Sequence, residues 1–384
     1  MPGLYIHIPF CVRKCLYCDF YSLPTGRGPL PGRLSNMPME HQPGFIEALE
    51  AELRQLPTDF VPDTVFLGGG TPTELSDQDF DRLFRIIHEC VNTKQVREWT
   101  CESNPGTLTG SKVDIMLEAG VNRVSLGVQS LTPSVLEFVG RIHSPEEALE
   151  GYHLLRHKGV NNINLDFMYG IPGQKLEMLE ADLHKAVQLN PDHIACYCLI
   201  FEDGTPLTEL RDKGYLKEVD DDVELNQYQR VREIMTQAGY HHYEISNFAK
   251  PGRESLHNML YWGSGEYIGC GPSAHSHWQG KRYGNIRNLE DYVQRLLAGE
   301  SVLQFEEELT PEAKARESLV MNLRQLDGVE RDNFARDTGF DYHDLCRTEI
   351  QWLKEIGMLE EVDNRLKLTS EGIFVSDRIF SELV

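Results

Sequence analysis

The sequence predicts an α/β protein built on a parallel sheet, and three observations carry that expectation. Short β-rich runs alternate with amphipathic helical stretches through the first 240 residues, the pattern of strand–helix–strand units. Loops rich in glycine, cysteine and polar residues follow the β-rich runs, where parallel α/β folds place their ligand sites. The chain has 384 residues, 40% of them apolar and 25% charged, a globular mixture long enough for two domains.

Strands are expected, in order, at 4–8, 64–67, 99–103, 123–128, 162–168 and 193–200. Between and after them, helices are expected at 44–56, 77–91, 111–119, 145–157, 175–188 and 223–238. Six such units suit an open doubly wound sheet or a partial barrel, and periodicity does not choose between the two. From Ser22 to Pro43 the rhythm breaks, with Pro24, Pro29, Pro31, Pro38 and several glycines. That stretch reads as a mobile loop.

From about Tyr240 the composition turns aromatic and glycine-rich. From about Leu309 a small, mostly helical unit is expected, with helices at 312–323, 330–337 and 342–356, a hairpin turning at Asp363-Asn364, and a closing helix. That order resembles a winged helix. The chain therefore divides into 1–240, 241–308 and 309–384.

Charge and cysteine usage narrow the partners. The net charge of -23, from 37 basic and 60 acidic residues, argues against nucleic acid, whose phosphates want a positive surface. The third helix of the C-terminal unit carries Asp341, Asp344, Glu349 and Glu355 against Arg347 and Lys354, which suits a structural or docking role better than DNA reading. No run approaches the roughly 20 apolar residues of a membrane-spanning helix, and no signal peptide is expected before Tyr5. Nine mostly scattered cysteines suit a reducing cytoplasm with thiols available for metal.

Cys11, Cys15 and Cys18 have C-x3-C-x2-C spacing. Three thiolates so close together can hold three irons of a [4Fe-4S] cluster and leave the fourth iron open. The competing reading is zinc with His7 as fourth ligand, although structural zinc sites usually pair C-x2-C knuckles. Tyr17 and Phe20 suit apolar shielding of the cluster. Cys196 and Cys198 alternate along a strand and, with Cys90, Cys101, Cys270 and Cys346, read as packing residues.

The segment from Tyr5-Ile6-His7-Ile8-Pro9-Phe10-Cys11 to Cys18-Asp19-Phe20 resembles the opening of the HemN/HemW branch of the radical S-adenosylmethionine (SAM) superfamily. The likeness continues in order through Gly68-Gly69-Gly70-Thr71-Pro72, Glu102-Ser103-Asn104-Pro105, the run from Asn122 to Gln129, Gly140-Arg141-Ile142-His143, and the run from Asn164 to Gly170. This resemblance implies a (β/α)6 partial TIM-type barrel. It also implies SAM bound to the open iron by its amino and carboxylate groups, then cleaved by a cluster electron to methionine and a 5′-deoxyadenosyl radical. On the same ground Cys11, Cys15 and Cys18 hold the cluster, and Tyr5, Tyr17, Gly69, Gly70, Thr71, Glu102, Gln129, Arg141 and Asp166 bind SAM. The residue types suit those roles. Glycine allows close backbone approach, Glu102 can pair with an amine and Arg141 with a carboxylate, and Gln129 and Asp166 can bond a ribose or a second small molecule. The glycine loop lacks the lysine of a phosphate-binding P-loop.

Within that branch two activities compete: radical decarboxylation of coproporphyrinogen III, and a haem chaperone that binds haem and hands it to acceptor haemoproteins. The oxidases carry a fourth cysteine two residues after the third, and an N-terminal extension. Here Phe20 stands at that position and four residues precede Tyr5. His257-Asn258-Met259-Leu260-Tyr261-Trp262 matches the HNxxYW motif of the chaperone type. It makes His257 the candidate haem ligand, with His275 and His277 secondary, and aromatics to pack the porphyrin. The chaperone reading is therefore preferred, with haem as cargo and the cluster and SAM governing assembly or transfer more than turnover. The oxidase is the main alternative; another radical SAM enzyme or a nucleic-acid-binding regulator follows. The resemblance leaves room for respiratory acceptors, for peripheral membrane attachment and for a homodimer.

Overall fold

A computed structural model describes residues 2–26 and 44–384. Six strands, β1 (Gly3–Ile8), β2 (Thr64–Gly69), β3 (Glu98–Ser103), β4 (Arg123–Gln129), β5 (Ile163–Tyr169) and β6 (His193–Cys198), lie within a residue or two of the expected positions. They are parallel and pair in chain order. A doubly wound sheet reverses its order at a switch point, and these six strands run without such a reversal.

Strands covered on both faces read as continuous apolar runs, and every residue of β4 is buried. The intervening helices start and stop where local chemistry dictates. Ser76 accepts the Asp79 amide to begin Asp77–Cys90. Ser144 and Glu147 form a capping box, with Pro145 at the first helical position, to begin Pro145–His157. Gly120 ends Gly110–Ala119 in the left-handed conformation.

The 241–308 stretch lengthens the same sheet at both edges, which periodicity did not foretell. Its strands are β7 (His241–Glu244), β8 (Asn247–Ala249), β9 (Tyr267–Cys270), β10 (His275–Trp278), β11 (Lys281–Asn285) and β12 (Leu303–Glu308). Among the described residues the sheet has 12 strands in the order β12-β11-β10-β9-β1-β2-β3-β4-β5-β6-β8-β7. β9 runs parallel to β1, with Tyr267 opposite Gly3. The helix Leu256–Trp262 lies in sequence between β8 and β9.

In the C-terminal unit, helices Pro311–Leu323 and Arg331–Thr338 match expectation, and the hairpin turns on Asp363 and Asn364 at φ 50 and 62, a pair of left-handed residues suited to a tight type I′ turn. The third helix is a correction. The expected 342–356 helix is broken into Tyr342–Leu345 and Arg347–Glu355 at Cys346. At this break Arg316 from the first helix donates to the Leu345 carbonyl and to Cys346 Sγ. The single closing helix is also two, Ser370–Phe374 and Ser376–Leu383.

Of the loop expected from Ser22 to Pro43, residues 27–43 lie outside the described residues; Leu23–Pro24 pairs in parallel with Phe10–Cys11. No helix among the described residues is long and apolar enough to cross a membrane.

Candidate functional site

The cysteine loop follows β1 and meets the C-terminal ends of β2, β3 and β4. There a chain of hydrogen bonds links two of the three thiols. Cys11 Sγ lies 3.4 Å from Thr71 Oγ1, which accepts from Asn104 Nδ2 at 2.6 Å. Asn104 Oδ1 accepts from Arg141 Nη2 at 2.5 Å, and Arg141 Nη1 points to Cys15 Sγ at 3.7 Å. Arg141 also donates to the Gly127 carbonyl. One cation is thus fixed beside the thiol loop. Burial pushes the Cys11 thiol up to about 11 and the Cys18 thiol to about 12, as expected for thiols away from water.

His7 cannot serve as the fourth ligand that the zinc reading needs. Its Nε2 bonds the Tyr21 carbonyl at 2.7 Å and its Nδ1 the Tyr5 hydroxyl at 3.0 Å. A carbonyl only accepts, so Nε2 carries the proton and Nδ1 receives the Tyr5 hydrogen. Tyr5 thus orients a histidine at the base of the loop. Among the described residues no three metal-ligating side chains are gathered around one point; in chemistry, sulfur donors beside a guanidinium suit an iron–sulfur cluster. Arg141 Nε, buried without a hydrogen-bond partner among the described residues, fits a further acceptor arriving there.

The acidic candidates lie deeper between the strands. Glu102 on β3 accepts from the Gly69 amide at 3.2 Å, and burial, with the Asp166 charge behind it, pushes its carboxyl up to about 8. Asp166 on β5 accepts from Ser125 Oγ at 3.1 Å and Asn164 Nδ2 at 2.6 Å, and burial raises it too. Gln129, held at φ 65 where β4 ends, accepts from the Tyr197 hydroxyl at 2.7 Å. Tyr17 is half-buried near Cys15, Arg141 and Tyr197. The glycines answer to close packing within the chain. A Cβ on Gly70 would stand 2.6 Å from the Phe10 carbonyl oxygen, and one on Gly69, at φ 99, would strike the His7 ring.

Asn104 and Tyr197 were not singled out from the sequence, although each holds a candidate in place. Asn104 lies inside the quoted Glu102-to-Pro105 motif, so the signal was present. Tyr197 carried none, because its partner comes from a different strand.

His257 is at the opposite end of the sheet. It is 1% exposed, with Nδ1 2.7 Å from Thr64 Oγ1 at the start of β2 and Nε2 2.8 Å from the Tyr261 hydroxyl. Its ring stacks on Phe66, and burial lowers its pKa to about 3. Both ring nitrogens are engaged, so iron ligation here requires one of these bonds to break. His275 is exposed on β10 beside Phe305; His277 is half-buried two residues on.

The chain is similar to known proteins along its length. Residues 5–186 match the radical SAM superfamily and residues 309–375 the HemN C-terminal domain. The chain is 34% identical to the heme chaperone HemW of Bacillus subtilis (strain 168), covering 99% of this chain and 98% of that protein. It is 32% identical to the heme chaperone HemW of Escherichia coli (strain K12), covering 96% and 94%. Among solved structures, coproporphyrinogen III oxidase (HemN) from Escherichia coli, a radical SAM enzyme, superposes with a TM-score of 0.83 at 22% identity, over 100% of this chain and 90% of that one. That likeness is one of fold.

Proposed function

This chain belongs to the HemW family of the radical SAM superfamily, and from that premise we propose that it is a haem chaperone, binding haem and passing it to acceptor haemoproteins. What carries the reading is the end-to-end likeness to heme chaperones, 99% of this chain against 98% of the Bacillus subtilis protein. Phe20 supports it against the oxidase alternative. It is 66% exposed where the oxidases have their extra cysteine, and a phenyl ring ligates nothing.

The superfamily implies a [4Fe-4S] cluster and SAM, which together supply one-electron chemistry when bound. In this proposal Cys11, Cys15 and Cys18 hold the cluster, and Arg141, aimed at Cys15 Sγ, balances thiolate charge. Glu102 receives the SAM amine, losing its proton as the cation arrives. Gln129 and Asp166 take the ribose or a second small molecule, Tyr17 and Thr71 line the site, and Tyr5, Gly69 and Gly70 shape its base.

The test uses the full chain with its cluster reconstituted without oxygen. Titration with hemin is expected to give a saturable Soret band, and mixing with the apo form of a b-type haemoprotein to move that haem across. Incubation with coproporphyrinogen III, SAM and reductant is expected to yield no protoporphyrinogen. Formation of that product by the intact protein overturns the chaperone reading in favour of the oxidase.

A further inference from the structure

Asp182, on the helix Leu176–Leu189, is 4% exposed and meets the chain where it leaves β4. Its Oδ2 accepts from the Leu131 amide at 3.0 Å and from the Ser130 hydroxyl, and its Oδ1 accepts from Thr132 Oγ1 at 3.2 Å. One side chain thus pins three consecutive residues. Ser130 Oγ in turn accepts from the Thr132 amide at 3.0 Å.

What these bonds hold is the turn that carries Gln129. The β4–β5 register shifts between Gly127 and Gln129, a bulge of the kind that re-aims a side chain. The Ser130 amide then donates back to the Val128 carbonyl at 2.8 Å, closing a three-residue turn around Gln129 at φ 65. A turn of that length with a positive φ is rare and strained. A residue other than glycine keeps it only where the surroundings over-determine it, and Asp182 supplies that constraint one residue beyond the strain.

The turn also sets a direction. Gln129 Oε1 is engaged by the Tyr197 hydroxyl at 2.7 Å, whereas its Nε2 has no hydrogen-bond partner among the described residues. That nitrogen lies over Gly127. A Cβ built on Gly127 would stand 3.2 Å from Gln129 Nε2, 3.2 Å from Arg141 Nη2 and 2.9 Å from Asn104 Oδ1. The missing side chain keeps open the point where an amide with hydrogens to donate meets the guanidinium that reaches Cys15.

We infer that Asp182 is a positioning residue for SAM: by pinning Ser130, Leu131 and Thr132 it holds the left-handed turn that aims the Gln129 amide at the ligand. The inference rests on the placing of Gln129 in the SAM site and extends that site to a helix residue acting through it.

The test measures SAM binding to the full chain by equilibrium dialysis, cluster reconstituted without oxygen, with the iron–sulfur absorbance as the check on folding. Gln129→Ala is expected to weaken SAM binding about tenfold, and Asp182→Ala to weaken it by about the same factor. Because Asp182 acts through Gln129, adding Asp182→Ala to Gln129→Ala is expected to cost less than about a further twofold. Asp182→Asn is expected to stay within about twofold of the unaltered chain, since its amide oxygen can accept from Ser130 and Leu131 and its nitrogen can donate to Thr132 Oγ1. Ser130→Ala is the milder probe, with a loss of about threefold that vanishes when Gln129 is already Ala. Unaltered SAM affinity in Asp182→Ala overturns the inference. So does a loss that persists in full without Gln129, which marks Asp182 as general scaffolding. Should Asp182→Ala lose the iron–sulfur absorbance, Ser130→Ala decides, and unaltered affinity there overturns the inference. Full affinity in Gln129→Ala removes Gln129 from the site and the inference with it, and failure of the unaltered chain to bind SAM overturns the SAM site as a whole.

Discussion

Glu98 and Glu102 stand at opposite ends of the same strand, β3, and their surroundings differ sharply. Glu98 accepts from the Leu256 amide at 3.1 Å, the His257 amide at 3.0 Å and Ser255 Oγ at 3.5 Å. It caps the HNxxYW helix, which with His257, Thr64 and Tyr261 closes that end of the sheet. Glu102 accepts from the Gly69 amide and has a second carboxylate, Asp166, nearby. At one end the Glu98 carboxylate is engaged by the helix it caps; the other gathers thiols, a guanidinium and carboxyls whose partner sets are incomplete. Buried polar groups are tolerated when fully bonded and are costly otherwise. The incomplete end is therefore where ligands complete the structure.

Breaking the open end gives the largest effect. Cys11→Ser, Cys15→Ser and Cys18→Ser should each abolish the iron–sulfur absorbance after reconstitution; full absorbance in any of them removes that residue from the ligand set. Glu98→Ala attacks the capped end instead. Stranding its buried donors should cost about 2–4 kcal/mol in urea unfolding, and a cost below about 1 kcal/mol would show that Glu98 does not hold the helix.

Gly70→Ala tests the packing beneath the cysteine loop. The added methyl must displace backbone at Phe10 and Ile8, an overpacking expected to cost about 1–3 kcal/mol and to slow cluster assembly. Wild-type stability and assembly in this variant would mean that the loop yields freely.

Glu102 predicts a pH dependence. The folded chain holds its proton up to about pH 8, whereas the ordinary value is 4.5, so its stabilisation is fully present below 4.5 and is lost as pH rises through 8. Without ligands, stability should fall across this window, and Glu102→Gln should flatten the fall by roughly 2 kcal/mol. Parallel pH profiles for the two proteins would refute the assignment. The smallest change expected is at Phe20. Being mostly exposed, its replacement by Ala should alter stability by about 0.5 kcal/mol or less, and a larger loss in thermal unfolding would reveal a packing role.

The parallel strands were legible because each is a local apolar run, and β1 to β6 appear within a residue or two of their expected places. The cysteine loop was legible for a similar reason: its spacing confines three thiols to one short segment whatever the rest of the chain does. The candidates Thr71, Gln129 and Arg141 were named from motifs, and the structure brings all three to the C-terminal ends of the strands. Their connections were not readable. Asn104 joins Thr71 to Arg141, and Tyr197 holds Gln129, through contacts between separate strands and loops. The edge strands of the 241–308 stretch likewise find partners far back in the chain, Tyr267 beside Gly3 and Asn247 beside Ala195. The motif made His257 a candidate haem ligand, and in the fold Thr64 and Tyr261 engage both of its ring nitrogens. Periodicity and spacing report forces between neighbours along the chain. Which hydrogen bond a side chain finally makes depends on segments brought together by burial, and that information resides in the packed fold.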